Sequence, residues 1–330
     1  MKTDIYGMKR RLELIEAGIT AAGIREKGRL FQFRDQCFAE GLGLHRITKY
    51  LQLLKKLCEA SAAPLGEISP MELTGILAGI ERTDLSAWTK HDQKLALRKY
   101  LAFCKRDDLV KLIRVKGAAT NKLPEELLST QDISDLLESS GAGAPGIRAL
   151  VYVLWDSGCR IGEILGIQKK NVIFDTIGAV LTVEGKTGMR RIRVIESAGP
   201  LNEWISERAL NPDDRVFPLK YEAARKQISV LAKKAGIQKR IYPHLFRHSR
   251  ATHLAGYLKE AQLCAHMGWT VGSQMARIYV HLNGSDLDLA MMKIPAIMPK
   301  VQSPTEDMNQ ISGETPGRFP EKSSSLICGK

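Results

Sequence analysis

Apolar positions recur at helical spacing through the first third of the chain. In residues 24–42, 44–60, 69–80 and 87–106 they fall three and four apart, as Ile47, Tyr50, Leu51 and Leu54 do, so each stretch predicts a helix with one buried stripe. No alternating pattern interrupts them. The segment predicts a small helical bundle over 24–115, preceded by residues 1–23 as a charged, marginal helix or arm. Residues 112–124 then turn to Gly, small residues and Pro, which predicts a linker over 116–124 entering a helix capped at Ser129-Thr130-Gln131-Asp132. A further helix is expected over 145–158. Gly158 permits a tight turn after it, and Glu163 begins the next helix. The period then changes from about four to two. Asn171–Asp175, Ala179–Glu184 and Arg191–Ile195 predict three short strands with turns at Thr176–Gly178 and Lys186–Gly188, which puts Lys186 at a hairpin tip. Residues from about 200 to 292 read as helical again, and 296–330, rich in Pro, Ser, Gly, Thr, Glu and Lys, predict a disordered tail. The expected fold is mainly α with a small antiparallel sheet, divided into a helical N-terminal domain and an α+β domain over 125–295.

Charge narrows the class of partner. The 330 residues carry a formal net charge of +13, shared between residues 1–115 and 116–300 at +7 each, while 301–330 carry −1. Two basic halves joined by a linker suit a clamp around an anionic duplex, and a solvated lysine-rich surface is the plainer account. Cys37, Cys58, Cys104, Cys159, Cys264 and Cys328 are scattered and form no C-x-x-C pair, which favours a reducing compartment and leaves neither a disulfide framework nor paired zinc spacings. No apolar run reaches about eighteen residues, and Met1-Lys2-Thr3-Asp4-Ile5 does not open a signal peptide, so a soluble cytoplasmic protein without membrane contact is expected.

Between Arg160 and Tyr279 the chain spaces out residues suited to chemistry on a phosphodiester. Arg160 lies in Ser157-Gly158-Cys159-Arg160-Ile161-Gly162-Glu163, Lys186 in Glu184-Gly185-Lys186-Thr187-Gly188, and His244 and Arg247 in Pro243-His244-Leu245-Phe246-Arg247-His248-Ser249. Gly268-Trp269 and Ile278-Tyr279-Val280-His281 follow. An anionic phosphodiester repels a nucleophile unless fixed cations take up the charge on its non-bridging oxygens as the phosphorane forms. Two guanidiniums do this with planar forks that stay charged, so that a metal is unnecessary. A tyrosine hydroxyl needs a base or a strongly cationic pocket to attack, and His244 and the arginines offer one of each. The departing oxygen needs a proton, which a lysine with a lowered pKa would give; Lys186 fits that part.

In this order and spacing the chain resembles the tyrosine recombinases, the phage-type integrase family, over most of its length. The resemblance implies a helical core DNA-binding domain over 24–115 and a tyrosine-recombinase catalytic domain over 125–295. Arg160 matches the family's first arginine, with Glu163 at the acidic supporting position, and Lys186 matches the hairpin lysine. His244 and Arg247 match the His-x-x-Arg pair, and Tyr279 the nucleophile. Trp269 stands where most members carry histidine; it precedes Tyr279 by ten residues, one more than usual, and an indole N–H positions a phosphate but shuttles no proton. His266, thirteen residues before Tyr279, is the other candidate for that place. The resemblance implies a site-specific recombinase that cuts and rejoins DNA through a 3′-phosphotyrosyl intermediate, in integration, excision or dimer resolution. It implies no cofactor, double-stranded DNA as partner, and a homo-tetramer on synapsed DNA. In the helical domain Arg46, Lys49, Lys55, Lys56, Lys94, Arg98 and Lys99 become candidate phosphate contacts.

Other readings of the same residues compete. Gly185-Lys186-Thr187 suggests a nucleotide loop, but Val180 occupies the place of its required first glycine. His244, His248, His253, Cys264, His266 and His281 include histidines four apart that could share zinc, although Arg247 between two of them would repel a cation. Tyr242 is a second candidate nucleophile. A type IB topoisomerase-like strand transferase, or a non-cutting DNA-binding protein of the same fold, is the alternative function.

Overall fold

A computed structural model describes residues 4–115, 126–141, 145–185 and 188–280. The linker core, Lys186, His281 and the tail over 296–330 lie outside the described residues.

The first six helices are α1 (Met8–Ala21), α2 (Lys27–Ala39), α3 (Leu44–Ala60), α4 (Pro70–Arg82), α5 (Ala87–Phe103) and the single turn α6 (Asp107–Val110). Two of the starts, those of α4 and α5, are capped by a side chain. Ser69 accepts from the Glu72 amide while Glu72 reaches back to the Ser69 amide, with Pro70 in the first turn, and Ser86 accepts from the Thr89 amide. Leu30, Phe33, Ile47, Leu51, Leu54, Leu97, Tyr100 and Leu101 form one core whose periodicity is the one read from the sequence. Glu26 is buried within this bundle. Its carboxylate accepts from the Gly66 amide at 3.3 Å and the Tyr100 hydroxyl at 2.6 Å, so the charge is hydrogen-bonded where it would otherwise destabilise the core.

A second, separate core forms around α7 (Thr130–Ser140), α8 (Pro145–Ser157), the short α9 (Ile161–Gly166), three strands, α10 (Ala198–Glu207), α11 (Tyr221–Lys234) and α12 (Pro243–Ala255). The strands are β1 (Val172–Phe174), β2 (Ala179–Gly185) and β3 (Gly188–Val194), in antiparallel order β1-β2-β3. α7 is capped by Ser129 and Asp132 as the sequence predicts. β3 begins three residues earlier than expected. Gly188 pairs with Gly185 and extends the ladder through Val183–Arg190, which places Arg190 inside the strand.

α13 (Glu260–Met267) and α14 (Gln274–Val280) complete the described chain. They close a small third cluster of Ala251, Ala255, Leu263, Met267 and Tyr279, against which Trp269 and Ile278 pack. Buried Asp156 at the end of α8 joins three elements: it accepts from the Ile195 and Ser197 amides at 2.8 and 3.0 Å and from Arg250 of α12 at 3.2 Å. Among the described residues no helix is long and apolar enough to cross a membrane.

Candidate active site

Three chain reversals bring the predicted residues together. Gly158, in the left-handed region with φ of 59°, turns the chain from α8 so that Arg160 becomes the residue before α9. An added Cβ at Gly158 would also press on the Arg250 side chain at 3.1 Å. Glu163, three residues on, accepts from the Arg160 amide at 2.8 Å and from its Nη1 at 2.9 Å, so one carboxylate both starts the helix and holds the guanidinium.

The second group comes from α12. Pro243 occupies its first turn, and His244, Arg247 and His248 lie three and four residues apart on one face. Arg247 is only 3% exposed, and its Nη1 and Nη2 donate to the carbonyls of Gly158 at 3.0 Å and Met267 at 2.5 Å. Among the described residues it pairs with no carboxylate. Burial, and then the neighbouring Arg160 cation, bring its pKa down to about 10. A buried guanidinium satisfied only by carbonyls beside a second guanidinium is a site short of negative charge.

The third group comes from the α13–α14 turn. Gly268 caps α13 in the left-handed region, with φ of 65° and ψ of 51°, and hands the chain to Trp269. Trp269 contacts two functional side chains: the Arg247 guanidinium sits 5.4 Å from its ring, and Tyr279 stacks on it at 5.1 Å with a 10° interplanar angle. Tyr279 is 1% exposed, and its hydroxyl meets Nδ1 of His248. His244 stands edge-on to His248 at 4.7 Å.

The electrostatics follow from this packing. Burial, then the charges of His244 and Arg247, bring the His248 pKa down to about 4, which leaves its ring neutral with Nδ1 against the Tyr279 hydroxyl. His244 is also held below its ordinary value, by the protein crowding its ring and then by Arg247 and Arg160. Burial pushes the Tyr279 hydroxyl up to about 12 against the opposing pull of Arg247. For Glu163, burial favours the neutral acid, but Arg190 and Arg160 outweigh it and keep the carboxylate below the usual range.

Arg160, Glu163, His244, Arg247, Trp269 and Tyr279 thus converge, and Lys186 lies outside the described residues. His266 is engaged elsewhere: Nε2 bonds the Ser157 carbonyl at 2.8 Å and ties α13 to the end of α8. His253 and Cys264 lie apart from this group. His253 packs against Trp155 and Tyr257, and Cys264 is buried with its thiol toward the Thr270 carbonyl. Tyr242 precedes α12 with Arg240 over its ring.

The seven candidate DNA contacts of the helical bundle divide into two sets. Lys49, Lys55, Lys94 and Lys99 are ion-paired with Asp92, Glu59, Glu81 and Glu40. Arg46, Lys56 and Arg98 are exposed and carry no ion pair among the described residues.

The sequence reading assigns no part to Arg190 and gives His248 only a metal-binding alternative. Helical spacing does carry a signal for His248, four residues from His244. Arg190 is legible only once the strand ladder shows which side of β3 it occupies.

Known proteins resemble the chain in sequence and in fold. Residues 126–285 match the phage integrase family. Tyrosine recombinase XerC of Xylella fastidiosa (strain 9a5c) is 27% identical over 240 residues, covering 66% of this chain and 79% of that protein. XerH site-specific recombinase, solved bound to palindromic difH substrate as a post-cleavage complex, shares the fold with a TM-score of 0.61 at 21% identity, over 89% of this chain and 97% of that one. A lambda integrase tetramer bound to a Holliday junction gives 0.59 at 15% identity, over 76% of each chain. Residues 126–285 form a phage integrase family domain, and the relatives it resembles are tyrosine recombinases.

Proposed function

We propose that this protein is a site-specific DNA recombinase that cuts and rejoins strands through a 3′-phosphotyrosyl intermediate. The observation that supports this reading most is a buried Arg247 with no carboxylate partner among the described residues, next to Arg160 and a tyrosine whose hydroxyl already meets a neutral histidine. A scissile phosphate supplies the missing anion. Arg160 and Arg247 hold its non-bridging oxygens and take up the charge that grows on them. Tyr279 Oη attacks phosphorus while its proton passes to an imidazole, with His244 as acid/base, and the bond to the 5′ oxygen breaks. Lys186 protonates that oxygen. The products are a 3′-phosphotyrosyl ester and a free 5′ hydroxyl, and rejoining runs the same steps backwards with a partner strand's hydroxyl. The ester keeps the energy of the broken bond, so neither ATP nor a metal is required.

Trp269 sets the angle between phosphate and nucleophile by contacting both Arg247 and Tyr279. The helical domain over 24–115 and the catalytic domain over 125–295 close on the duplex from opposite sides, and four copies assemble on two synapsed sites. The protein works in the cytoplasm, on double-stranded DNA. The test is capture of denaturation-resistant protein–DNA adducts from cells expressing the wild type or Tyr279→Phe, with sequencing of the attached DNA. A single recurrent site in the wild type and none in the variant is expected. Equal recovery from both would refute the assignment.

A further inference from the structure

Arg190 is more completely enclosed than any role in strand pairing requires. It lies on β3 opposite Val183 of β2, and its side chain is 10% exposed. Its Nη1 and Nη2 donate to the two Glu163 oxygens at 2.9 and 2.7 Å, a bidentate fork, while Nε donates to the His266 carbonyl at 3.0 Å. Nη2 also lies 3.7 Å from the Cys159 sulfur. Glu163 is the same carboxylate that holds Arg160.

Two glycines are shaped around this pair. A Cβ at Gly185 would stand 2.6 Å from Glu163 Oε1 and 2.9 Å from Arg190 Nη1. A Cβ at Gly268 would stand 2.9 to 3.2 Å from three atoms of the Arg190 side chain. Gly268 immediately precedes Trp269. The carbonyl at His266 accepts from Arg190, and the next one, at Met267, accepts from Arg247. The end of α13 is therefore held by two guanidiniums, one from the sheet and one from α12.

We infer that Arg190 is a positioning residue for phosphate activation, fixing Arg160 through Glu163 and fixing the α13 terminus that carries Trp269. This deepens the recombinase reading of the site and rests on it. The physical reason is geometric: a carboxylate clamped on one side by a rigid fork presents Arg160 in one orientation, whereas a carboxylate held by Arg160 alone swings with it. Lysine cannot replace the fork, because an ammonium gives a point charge in place of two parallel donors.

The experiment measures single-turnover cleavage at saturating DNA with a nicked duplex carrying the captured site, for wild type, Arg190→Gln and Arg190→Lys. Two substrates are used, one with the native scissile phosphate and one with a neutral methylphosphonate there. A methylphosphonate lacks the non-bridging charge that Arg160 must stabilise, so a defect acting through Arg160 shrinks on it. A fold defect slows both substrates alike. Arg190→Gln should slow cleavage of the native substrate by on the order of tenfold to a hundredfold, with Kd within about twofold of wild type, and most of the loss should vanish on the methylphosphonate. Arg190→Lys retains a charge beside Glu163 and guards against a variant that fails to fold; it should show the same pattern, smaller in size. Wild-type rates in both variants, or an equal loss on the two substrates, would overturn the inference. Absence of an adduct from the wild-type protein would instead contradict the recombinase reading itself.

Discussion

At the scale of single residues, the site sets Arg247, which pairs with no carboxylate among the described residues, beside an Arg160 held by Glu163 and beside histidines of lowered pKa around a buried hydroxyl. Trp269 is the position where sequence and structure together say most. The sequence argues for its N–H as a phosphate donor, and the structure adds a stack on Tyr279 and contact with Arg247. The two contributions separate by substitution. Trp269→Phe keeps a ring and removes the donor, and should raise the cleavage barrier by about 1.5–3 kcal/mol, the worth of one charge-assisted hydrogen bond. Trp269→Ala should lose a further ~1 kcal/mol or more as the aromatic and cation–π contacts go. His266→Ala should slow cleavage less than either, because its Nε2 serves the Ser157 carbonyl. Single-turnover rates for the three variants test this order, and a larger loss in His266→Ala would return that residue to the phosphate. The histidines also set a pH dependence. His248 stays neutral down to about 4, whereas the unfolded chain takes up its proton near 6.5. Its folded pKa is thus depressed, so the stability linked to it is complete above 6.5 and is lost as pH falls towards 4. His248→Gln should flatten the stability–pH curve in that window, as thermal melts at several pH values would report.

At the scale of elements, the α13–α14 turn depends on Gly268 for two independent reasons: its φ of 65° and the Arg190 guanidinium, 2.9 Å from where a Cβ would stand. Gly268→Ala should destabilise the turn by roughly 1 kcal/mol or more from the backbone alone, and it should impair cleavage beyond that by displacing Trp269, a split visible on comparing melts with rates. Much of this architecture was legible in the chain. The helical stripes of α2 to α5, the capping residues Ser129 and Asp132, and the change of period at the sheet are local signals, written within a few residues of where they act. The order Arg160, His244, Arg247, Tyr279 was legible as chemistry. What was hidden depends on contacts far apart in sequence. Arg190 reads as one of several basic residues until the Gly185–Gly188 pairing lengthens β3 and carries it to Glu163, 27 positions away. The bond between His248 and Tyr279, 31 positions apart, likewise needs α14 folded back onto α12. Sequence spacing offers no means of telling which of Arg46, Lys49, Lys55, Lys56, Lys94, Arg98 and Lys99 are already matched by carboxylates, because those carboxylates mostly come from other helices.

At the scale of the whole molecule, the surplus of positive charge and the paired basic halves predict binding dominated by phosphate neutralisation. The logarithm of affinity should fall with the logarithm of salt at about −0.9 per phosphate contacted. Replacing Arg46, Lys56 or Arg98 by glutamine should reduce that slope by up to about 0.9 each, whereas Lys49→Gln and Lys99→Gln should change it less, since their carboxylate partners already screen them. Titrations at several salt concentrations distinguish the two sets. The account stands most directly on the identity of the residue that joins the DNA. A nicked duplex carrying the captured site is incubated with the protein in excess chelator, the adduct is digested with protease, and the nucleotide-bearing peptide is sequenced by mass spectrometry. The account predicts full adduct yield without metal and a 3′-phosphoryl nucleotide on Tyr279. A nucleotide on Tyr242, or an adduct that forms only when zinc is restored, would contradict it.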